Sequence, residues 1–249
     1  MAYRTYRSTY SFGFGYGLTP AVKNLLIANV AAFFFTVIGQ AVGLGSFIGW
    51  LMLTPYAVTH HLAVWQLVTY MFLHGGFFHI LFNMFALWMF GGELERTWGT
   101  RRFLHYYFLT GIGAGLFSVL ASPSSPIPTV GASGAIYGIL LAYGLLFPNR
   151  IIVIPILLIF WIPIPAKFLV MILGGIAFVS ALSGPGDFVN HVAHLGGMAV
   201  GFLYLRGRPF YFDFRNRYYR WRRLRLQRQF EVYMRKRDGQ QRPRGPWVQ

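Results

Sequence analysis

The sequence contains no cysteine and few charged residues. Without cysteine, the chain has neither a disulfide framework nor thiolate metal ligands. Asp, Glu, Lys and Arg make up 11% of its 249 residues, and hydrophobic residues make up 55%. A soluble domain carries about 25% charged residues, so the composition excludes an ordinary water-soluble protein. The first 23 residues also lack the compact apolar core of a signal peptide. The composition therefore favours an all-α polytopic membrane protein.

Long apolar runs predict six membrane-spanning helices, because about 20 such residues cross a bilayer. The predicted spans are 24–44, 77–97, 103–120, 131–147, 168–184 and 189–205. They form one membrane domain, 24–205, between an N-terminal tail, 1–23, and a basic C-terminal tail, 206–249. The first loop, 45–76, is interrupted but rich in Trp, Tyr and His, which predicts an interfacial structure lying partly in the outer leaflet.

The positive charges alternate along the predicted spans. Lys and Arg occur before span one, between spans two and three, between spans four and five, and after span six: Arg4, Arg7, Lys23, Arg96, Arg101, Arg102, Arg150, Lys167 and the tail. The segments 45–76, 121–130 and 185–188 contain none. By the positive-inside rule, these three face outward and both termini are cytoplasmic. Together with the short loops, this orientation suits a bacterial plasma membrane.

The apolar segment 151–167 is long enough to span but is not counted as a span. Pro155, Pro163 and Pro165 each remove a backbone donor. A seventh crossing would also place the two ends of the chain on opposite sides. This segment is therefore predicted to be an apolar hairpin on the cytoplasmic side.

Four polar residues lie near the outer ends of three spans. Span two carries His79 and Asn83, which share one helix face because they are four residues apart. Ser133 lies about three residues into span four, and His194 about five residues into span six, roughly 7 Å deep at ~1.5 Å per residue. All three spans begin outside, so the four side chains are expected at one depth. Polar residues within spans mark functional sites by default.

These residue types fit nucleophilic catalysis. Serine attacks once a neighbouring base, most often histidine, takes its proton. Asn and His side chains, with a backbone N–H, can stabilise the resulting oxyanion. Tyr137 follows Ser133 by four residues and is expected to pack its ring on the imidazole. The acidic residue at this level is Asp187, in an outer loop, so the prediction is a Ser133–His194 dyad and not a triad.

Small residues surround the predicted nucleophile. Gly134 and Gly138 on span four, with Gly197 and Gly201 on span six, allow two backbones to approach closely. Such an approach lets a serine and a histidine on different helices form a hydrogen bond. Between span five and span six, the segment 184–186 contains two glycines and a proline and is predicted to hinge a lid.

Four motifs resemble those of the rhomboid family of intramembrane serine proteases. They are Gly131-Ala-Ser133-Gly, His79-x-x-x-Asn83, Ala193-His194-x-x-Gly197-x-x-x-Gly201 and Gly91-Gly-x-x-Glu95-x-x-x-Gly99. The resemblance runs from about Trp65 to Leu205. It implies a six-helix rhomboid-like bundle that hydrolyses transmembrane helices near their outer ends. It also implies Ser133 as nucleophile, His194 as base, and His79, Asn83 and the Ser133 N–H as oxyanion donors.

The resemblance has one visible departure and leaves some polar residues in structural roles. Where many members have Trp-Arg in the first outer loop, this chain has Trp65-Gln66. His74 resembles a position that shapes this loop. Glu93 and Glu95 are expected in an ion network with Arg96 at the cytoplasmic end of span two.

Other functions remain as alternatives. One is a catalytically silent relative that binds and escorts membrane helices, although such relatives would be expected to lack the serine or the histidine. A transporter or channel would need polar residues along a path to both sides. His191 and His194 could hold a metal, but lack a carboxylate or cysteine to complete a shell; no metal or other cofactor is predicted.

The partners are transmembrane protein substrates and the lipid bilayer. Fourteen of the 22 Lys and Arg lie from Arg206 onward, which predicts a basic helix bound to anionic headgroups of the inner leaflet. A disordered anchor is the alternative, and nucleic-acid binding is not expected.

Overall fold

The computed structural model describes residues 17–156, 160–182, 191–207 and the single residue 234. The chain divides into two units, Met1–Tyr204 and Leu205–Gln249. The predicted hinge 184–186, Asp187 and nearly all of the basic tail lie outside the described residues.

Helices dominate the described chain, and two of them begin at a proline, whose fixed φ and missing N–H suit a first helical position. The helices are α1 (Pro20–Ala41), α2 (Gly45–Leu51), α3 (Pro55–His61), α4 (Gln66–Thr69), α5 (Phe77–Ala86), α6 (Gly92–Trp98), α7 (Thr100–Ala121), α8 (Ser133–Leu146), α9 (Ala166–Leu182) and α10, residues 191–207. A 3₁₀ turn, Tyr70–Phe72, follows α4, and a π-helical segment, Leu87–Gly91, joins α5 to α6.

Three helices of the described chain are long and apolar enough to cross a membrane. They are α1, the continuous helix Phe77–Trp98 and α7, and they cover the first three predicted spans. The shorter apolar helices α8 and α9 lie at the positions of the fourth and fifth predicted spans, and α10 lies at that of the sixth. The number of crossings stays a prediction.

Helix α7 is the most enclosed of the three long helices. Its Phe103, Tyr106 and Tyr107 are completely buried. The Tyr106 hydroxyl donates to the carbonyl oxygen of Gly138 at 2.8 Å, which fixes α7 against α8. This central packing positions the helix that begins with Ser133.

The first outer loop is built from α2, α3 and α4, and Gln66 holds two parts of it together. Gln66 is almost completely buried; its Nε2 donates to the Trp50 carbonyl at 3.1 Å, and its Oε1 accepts from the Thr54 N–H at 2.9 Å. The exposed rings of Trp50 and Trp65 stack at 5.9 Å. A neutral amide therefore satisfies the backbone of this loop.

The apolar segment after α8 is a two-stranded antiparallel hairpin. Strand β1 (Ile151–Ile156) pairs with β2 (Phe160–Pro165), with Val153 opposite Pro163. The prediction of a hairpin rather than a span is confirmed, but the all-α description needs this correction. Ile and Val, branched at Cβ, fit the extended backbone better than a helix, which is why the hairpin forms strands.

The two glutamates of α6 have different roles. Glu93 pairs with Arg150 at 2.7 Å and approaches Arg96 at 4.0 Å. Glu95 is buried, and its carboxylate accepts from the N–H groups of Ala21 (2.9 Å) and Val22 (3.0 Å). It also accepts from the Thr100 hydroxyl at 2.6 Å. The predicted ion network therefore applies to Glu93, whereas Glu95 caps α1, because the first N–H groups of a helix have no internal acceptor.

Candidate active site

Ser133 is the first residue of α8. The sequence predicted that it would lie about three residues into the span, so the helix begins later than predicted. Gly131, with φ of +123°, turns the chain immediately before the helix. The Ile136 N–H donates to the Ala132 carbonyl at 3.0 Å, at the start of the helix. The N–H of Ser133 therefore has no acceptor within the helix, and it lies at the positive end of the helix dipole. A carbonyl oxygen gaining negative charge beside Ser133 would be stabilised there.

His194 lies on α10 and contacts Ser133 directly. The distance between His194 Nε2 and Ser133 Oγ is 2.8 Å, within hydrogen-bond range. The imidazole is buried. The geometry brings together the two residues that were predicted to form a dyad.

A glycine contact makes this approach possible. A Cβ at Gly197 of α10 would collide with the carbonyl oxygen of Gly134 on α8. The close approach predicted for these two helices thus occurs at Gly134 and Gly197. The other predicted pair faces α7 instead: a Cβ at Gly138 would lie 2.7 Å from Thr110, and one at Gly201 would collide with the Tyr106 hydroxyl.

Tyr137 covers the imidazole of His194. The two rings are stacked, with centroids 4.2 Å apart and planes 6° from parallel. This stack forms because Tyr137 lies one helical turn after Ser133, on the same face. It restricts rotation of the ring and keeps Nε2 directed at the serine.

The other ring nitrogen, His194 Nδ1, is buried without a hydrogen-bond partner among the described residues. His191 approaches the ring edge-on at 5.8 Å between centroids. No cluster of three or more His, Cys, Asp or Glu that could hold a metal occurs in the described part of the chain. The described geometry is that of a serine–histidine pair.

His79 and Asn83 face the backbone just before Ser133. A Cβ at Gly131 would lie 2.7 Å from His79 Nε2 and 3.6 Å from Asn83 Nδ2. The Gly75 N–H donates to His79 Nδ1 at 3.4 Å, so a neutral ring carries its proton on Nε2. Asn83 Nδ2 is buried and has no partner among the described residues. Two side-chain donors therefore lie close to the turn that contains Gly131.

Tyr70 supports this turn and is a residue that the sequence did not reveal. Its carbonyl oxygen accepts from the Gly131 N–H at 2.9 Å, and its hydroxyl donates to the Gly111 carbonyl at 2.7 Å. These bonds tie the turn to α7. No sequence pattern indicated Tyr70, because it acts partly through its own backbone and through contacts distant in the chain.

His74 lies at the end of the outer loop beside His79. Their rings meet edge-on with centroids 5.1 Å apart, and His74 Nδ1 donates to the Phe72 carbonyl at 3.3 Å. Burial, with a smaller contribution from nearby His79, lowers the pKa of His74 to about 4. His74 is therefore neutral at pH 7 and adds no charge beside the site.

Comparisons with known proteins identify the family of the chain. Residues 61–207, more than half of the chain, match the rhomboid domain. Rhomboid protein 1, mitochondrial, of Saccharomyces cerevisiae is 37% identical over 139 residues, 53% of this chain and 38% of that protein. Rhomboid protease GluP of Bacillus subtilis is 36% identical over 141 residues, 56% of this chain and 25% of that protein.

A plant relative extends the range of organisms. RHOMBOID-like protein 1 of Arabidopsis thaliana is 35% identical over 149 residues, 59% of this chain and 35% of that protein. The chain thus spans about a quarter to two fifths of the length of these three relatives. From the matched domain and the long apolar helices, the chain is an integral membrane protein that belongs to the rhomboid family.

Proposed function

We propose that this protein is an intramembrane serine protease that cleaves transmembrane helices of other proteins near their outer ends. The observation that carries the proposal is the 2.8 Å contact between His194 Nε2 and Ser133 Oγ. Relatives that are named as proteases support the reaction class. A silent, helix-escorting relative would not need a base held against a serine.

In the proposed reaction, His194 Nε2 takes the proton of Ser133 as Oγ attacks the scissile carbonyl carbon. The carbonyl oxygen becomes an oxyanion, which accepts hydrogen bonds from the Ser133 N–H, His79 Nε2–H and Asn83 Nδ2. The imidazolium then protonates the departing amine, and the C–N bond breaks. Water, deprotonated by His194, hydrolyses the acyl-enzyme and regenerates the serine.

The proposed role of Asn83 follows from its unpaired side-chain donor. Asn83 Nδ2 has no partner of its own, and a buried donor without an acceptor is costly. An oxyanion would supply that acceptor in the transition state. Tyr137 holds the imidazole plane, while Gly131, Gly197 and Gly201 admit the neighbouring backbones and side chains.

The site also needs water and substrate. A cavity of about 140 Å³ lies between the outer half of α1 and the loop that carries His74, and Thr36, Gln40, Gly75 and Val130 contribute to its wall. It adjoins the loop before His79, although neither Ser133 nor His194 lines it; in this proposal, water reaches the site from the same side. A substrate helix would come sideways from lipid and partly unwind, since an intact helix hides its carbonyl groups in hydrogen bonds.

The topology belongs to the same proposal. The alternation of Lys and Arg supports six crossings with both termini in the cytoplasm, and the short loops suit a bacterial plasma membrane. The tail 206–249 would bind anionic headgroups. The relatives include a mitochondrial, a plant and a bacterial protein, so the cellular compartment of this protein has to be determined by experiment.

The test is covalent labelling of the folded protein in detergent with a fluorophosphonate, which reacts with activated serines. Mass spectrometry should find the label on Ser133 alone, and His194→Ala should abolish it. Ser122→Ala, a control at an exposed serine on the outer side, should label normally. A folded protein that neither labels at Ser133 nor cleaves any transmembrane substrate would support the silent alternative.

A further inference from the structure

The hairpin β1–β2 leaves α8 at the end opposite to Ser133. Ser133 is the first residue of α8, and the hairpin begins five residues after Leu146, the last. It returns directly into α9, which begins at Ala166. The hairpin therefore lies toward the membrane side opposite to the candidate active site, whichever way the chain is oriented.

Every residue from 151 to 165 is apolar. Side chains on both faces of a two-stranded hairpin are therefore apolar, and such a hairpin is marginal by itself in water. The protein covers only some of them: Ile152 is buried, Ile151 and Val153 are partly covered, and Ile162 is 46% exposed. The exposed apolar groups need a partner other than water.

The backbone of the hairpin points to lipid as that partner. In the register of the strands, Ile151 pairs with Pro165, Val153 with Pro163 and Pro155 with Trp161. The Ala166 N–H donates to the Arg150 carbonyl at 2.9 Å. Arg150 and Ala166 are therefore a hydrogen-bonded pair. Hydrogen-bonded and non-hydrogen-bonded pairs alternate along antiparallel strands, so the three pairs named above are non-hydrogen-bonded, and their N–H positions face outward.

Proline occupies three of these six outward positions. Pro155, Pro163 and Pro165 have no N–H, so half of the donors that would face outward from the hairpin edges are missing. An unpaired N–H costs on the order of several kcal/mol in lipid, because lipid offers no hydrogen-bond acceptor. The prolines lower that cost, while the remaining edge groups require the hairpin to stay near headgroups and water.

The base of the hairpin carries positive charge. Arg150 is the last residue before β1 and is held by Glu93. Lys167 follows β2, is exposed, and donates to Asn149 at 3.1 Å. Cations at this position complement the anionic headgroups of a bilayer surface.

We propose that the β1–β2 hairpin is a lipid-binding surface, inserted at the headgroup–acyl boundary of the leaflet opposite to the active site. Its apolar side chains contact acyl chains, and its basic residues contact anionic headgroups. The hairpin thereby anchors the C-terminal end of α8 and the N-terminal end of α9 to the membrane surface. This inference depends on the fold and not on proteolytic activity.

The test uses a spin label at a single cysteine, which is convenient because the chain has no native cysteine. Ile162→Cys is labelled in the full chain, reconstituted in nanodiscs of phosphatidylethanolamine and phosphatidylglycerol. Collision of the label with oxygen, which partitions into lipid, is compared with collision with a water-soluble nickel chelate. Labels at the exposed residue Arg101 and at Phe34, an exposed residue of α1, give the aqueous and lipid references.

We expect the oxygen-to-nickel accessibility ratio at 162 to be several-fold higher than at 101 and near that at 34. Pro163→Ala restores an outward N–H and should lower the ratio at 162, while melting temperature reports whether this variant still folds. A ratio equal to that at 101 would place the hairpin in water and overturn the proposal. Low accessibility to both reagents would overturn it too, because the hairpin would then be covered by protein, such as a second copy of the chain.

Discussion

The two ends of the helix Phe77–Trp98 treat buried polar groups in opposite ways. At the end predicted to face outward, Asn83 Nδ2 is buried without a hydrogen-bond partner among the described residues. At the inner end, the Glu95 carboxylate accepts three hydrogen bonds, from two backbone N–H groups of α1 and from Thr100. A satisfied buried group stabilises the folded protein, whereas an unsatisfied one costs stability. Under the proposed function, the unpaired donor of Asn83 is satisfied in the transition state, whereas the hydrogen bonds of Glu95 stabilise the folded protein.

The neighbouring elements show this contrast only in part. Near the predicted outer end, His194 Nδ1 is also without a partner among the described residues. At the predicted inner end, Glu93 and Arg150 form an ion pair at 2.7 Å, but Thr19 Oγ1 and Arg102 Nε are buried without partners in the described part of the chain. From the proposed function, we expect substitutions at the outer end to change turnover, and from the hydrogen bonds of the inner end, we expect substitutions there to change stability.

The largest effect is expected from the dyad. Ser133→Ala and His194→Ala should each abolish cleavage of a reconstituted transmembrane substrate, with losses in kcat on the order of 10⁶, as for serine proteases generally. Because the two residues act as one unit, the double variant should be no worse than either single variant. His105→Ala, at an exposed histidine, is the control and should retain activity. Turnover near wild type in either single variant would rule out the dyad.

Asn83→Ala should lower kcat by about 10²–10³-fold, or roughly 3 kcal/mol, because one oxyanion donor is lost while others remain. Its melting temperature should change little, since Nδ2 has no partner to lose. Asn29 is the matched control: it is completely buried and donates to the Leu25 carbonyl at 2.8 Å. Asn29→Ala should lower the melting temperature and leave kcat per folded molecule unchanged. The reverse pattern would make Asn83 a structural residue.

Glu95→Ala should destabilise the protein by roughly 2 kcal/mol, because it removes a charged acceptor from two N–H groups and a hydroxyl. Turnover per folded molecule should stay near wild type. Glu93→Ala removes a partly exposed ion pair and should cost less, about 0–1 kcal/mol. Thermal unfolding in detergent measures both. Equal losses of unfolding free energy in the two variants would show that capping α1 stabilises the protein no more than the partly exposed ion pair does.

A disulfide between the outer turn of α9 and the first turn of α5 should slow cleavage of membrane-embedded substrates about tenfold, or roughly 1.4 kcal/mol. The reason is that, in the proposed sideways access of the substrate, these two helices would have to move apart. Reductant should restore the rate, and each single-cysteine variant under the same oxidant is the control. Undiminished cleavage with a complete crosslink would place substrate access elsewhere.

The smallest effect concerns pH. The pKa of His74 is about 4 in the folded protein, below its ordinary value of about 6.5, so the unfolded state binds more protons between these values. The stabilisation is present above about pH 6.5 and is lost as pH falls toward 4; from pH 6.5 to 5 the loss is about 1–2 kcal/mol. His74→Gln should show a correspondingly shallower decline of melting temperature over this range. Identical slopes would contradict the buried, neutral state of His74.

Some features followed directly from the sequence. The apolar runs placed the three long helices within a few residues, because span length depends on the bilayer and not on tertiary contacts. The three prolines distinguished the hairpin from a span, because each lacks a backbone donor. The motifs around Ser133 and His194 predicted that these side chains would meet.

Tertiary structure alone decided how they meet. Gly131 ends the preceding loop late enough that Ser133 becomes the first residue of α8, which leaves its N–H free. Glu95 caps α1 by accepting hydrogen bonds from the N–H groups of Val22 and Ala21, which lie 73 and 74 positions away along the chain. Tyr70 supports the turn at Gly131 through its backbone. Composition and helical periodicity determine which segments enter the membrane and which face is polar, because those are local properties. Which buried donors find acceptors depends on partners distant in sequence, so only the packed helices show which of these groups are hydrogen-bonded and which are not.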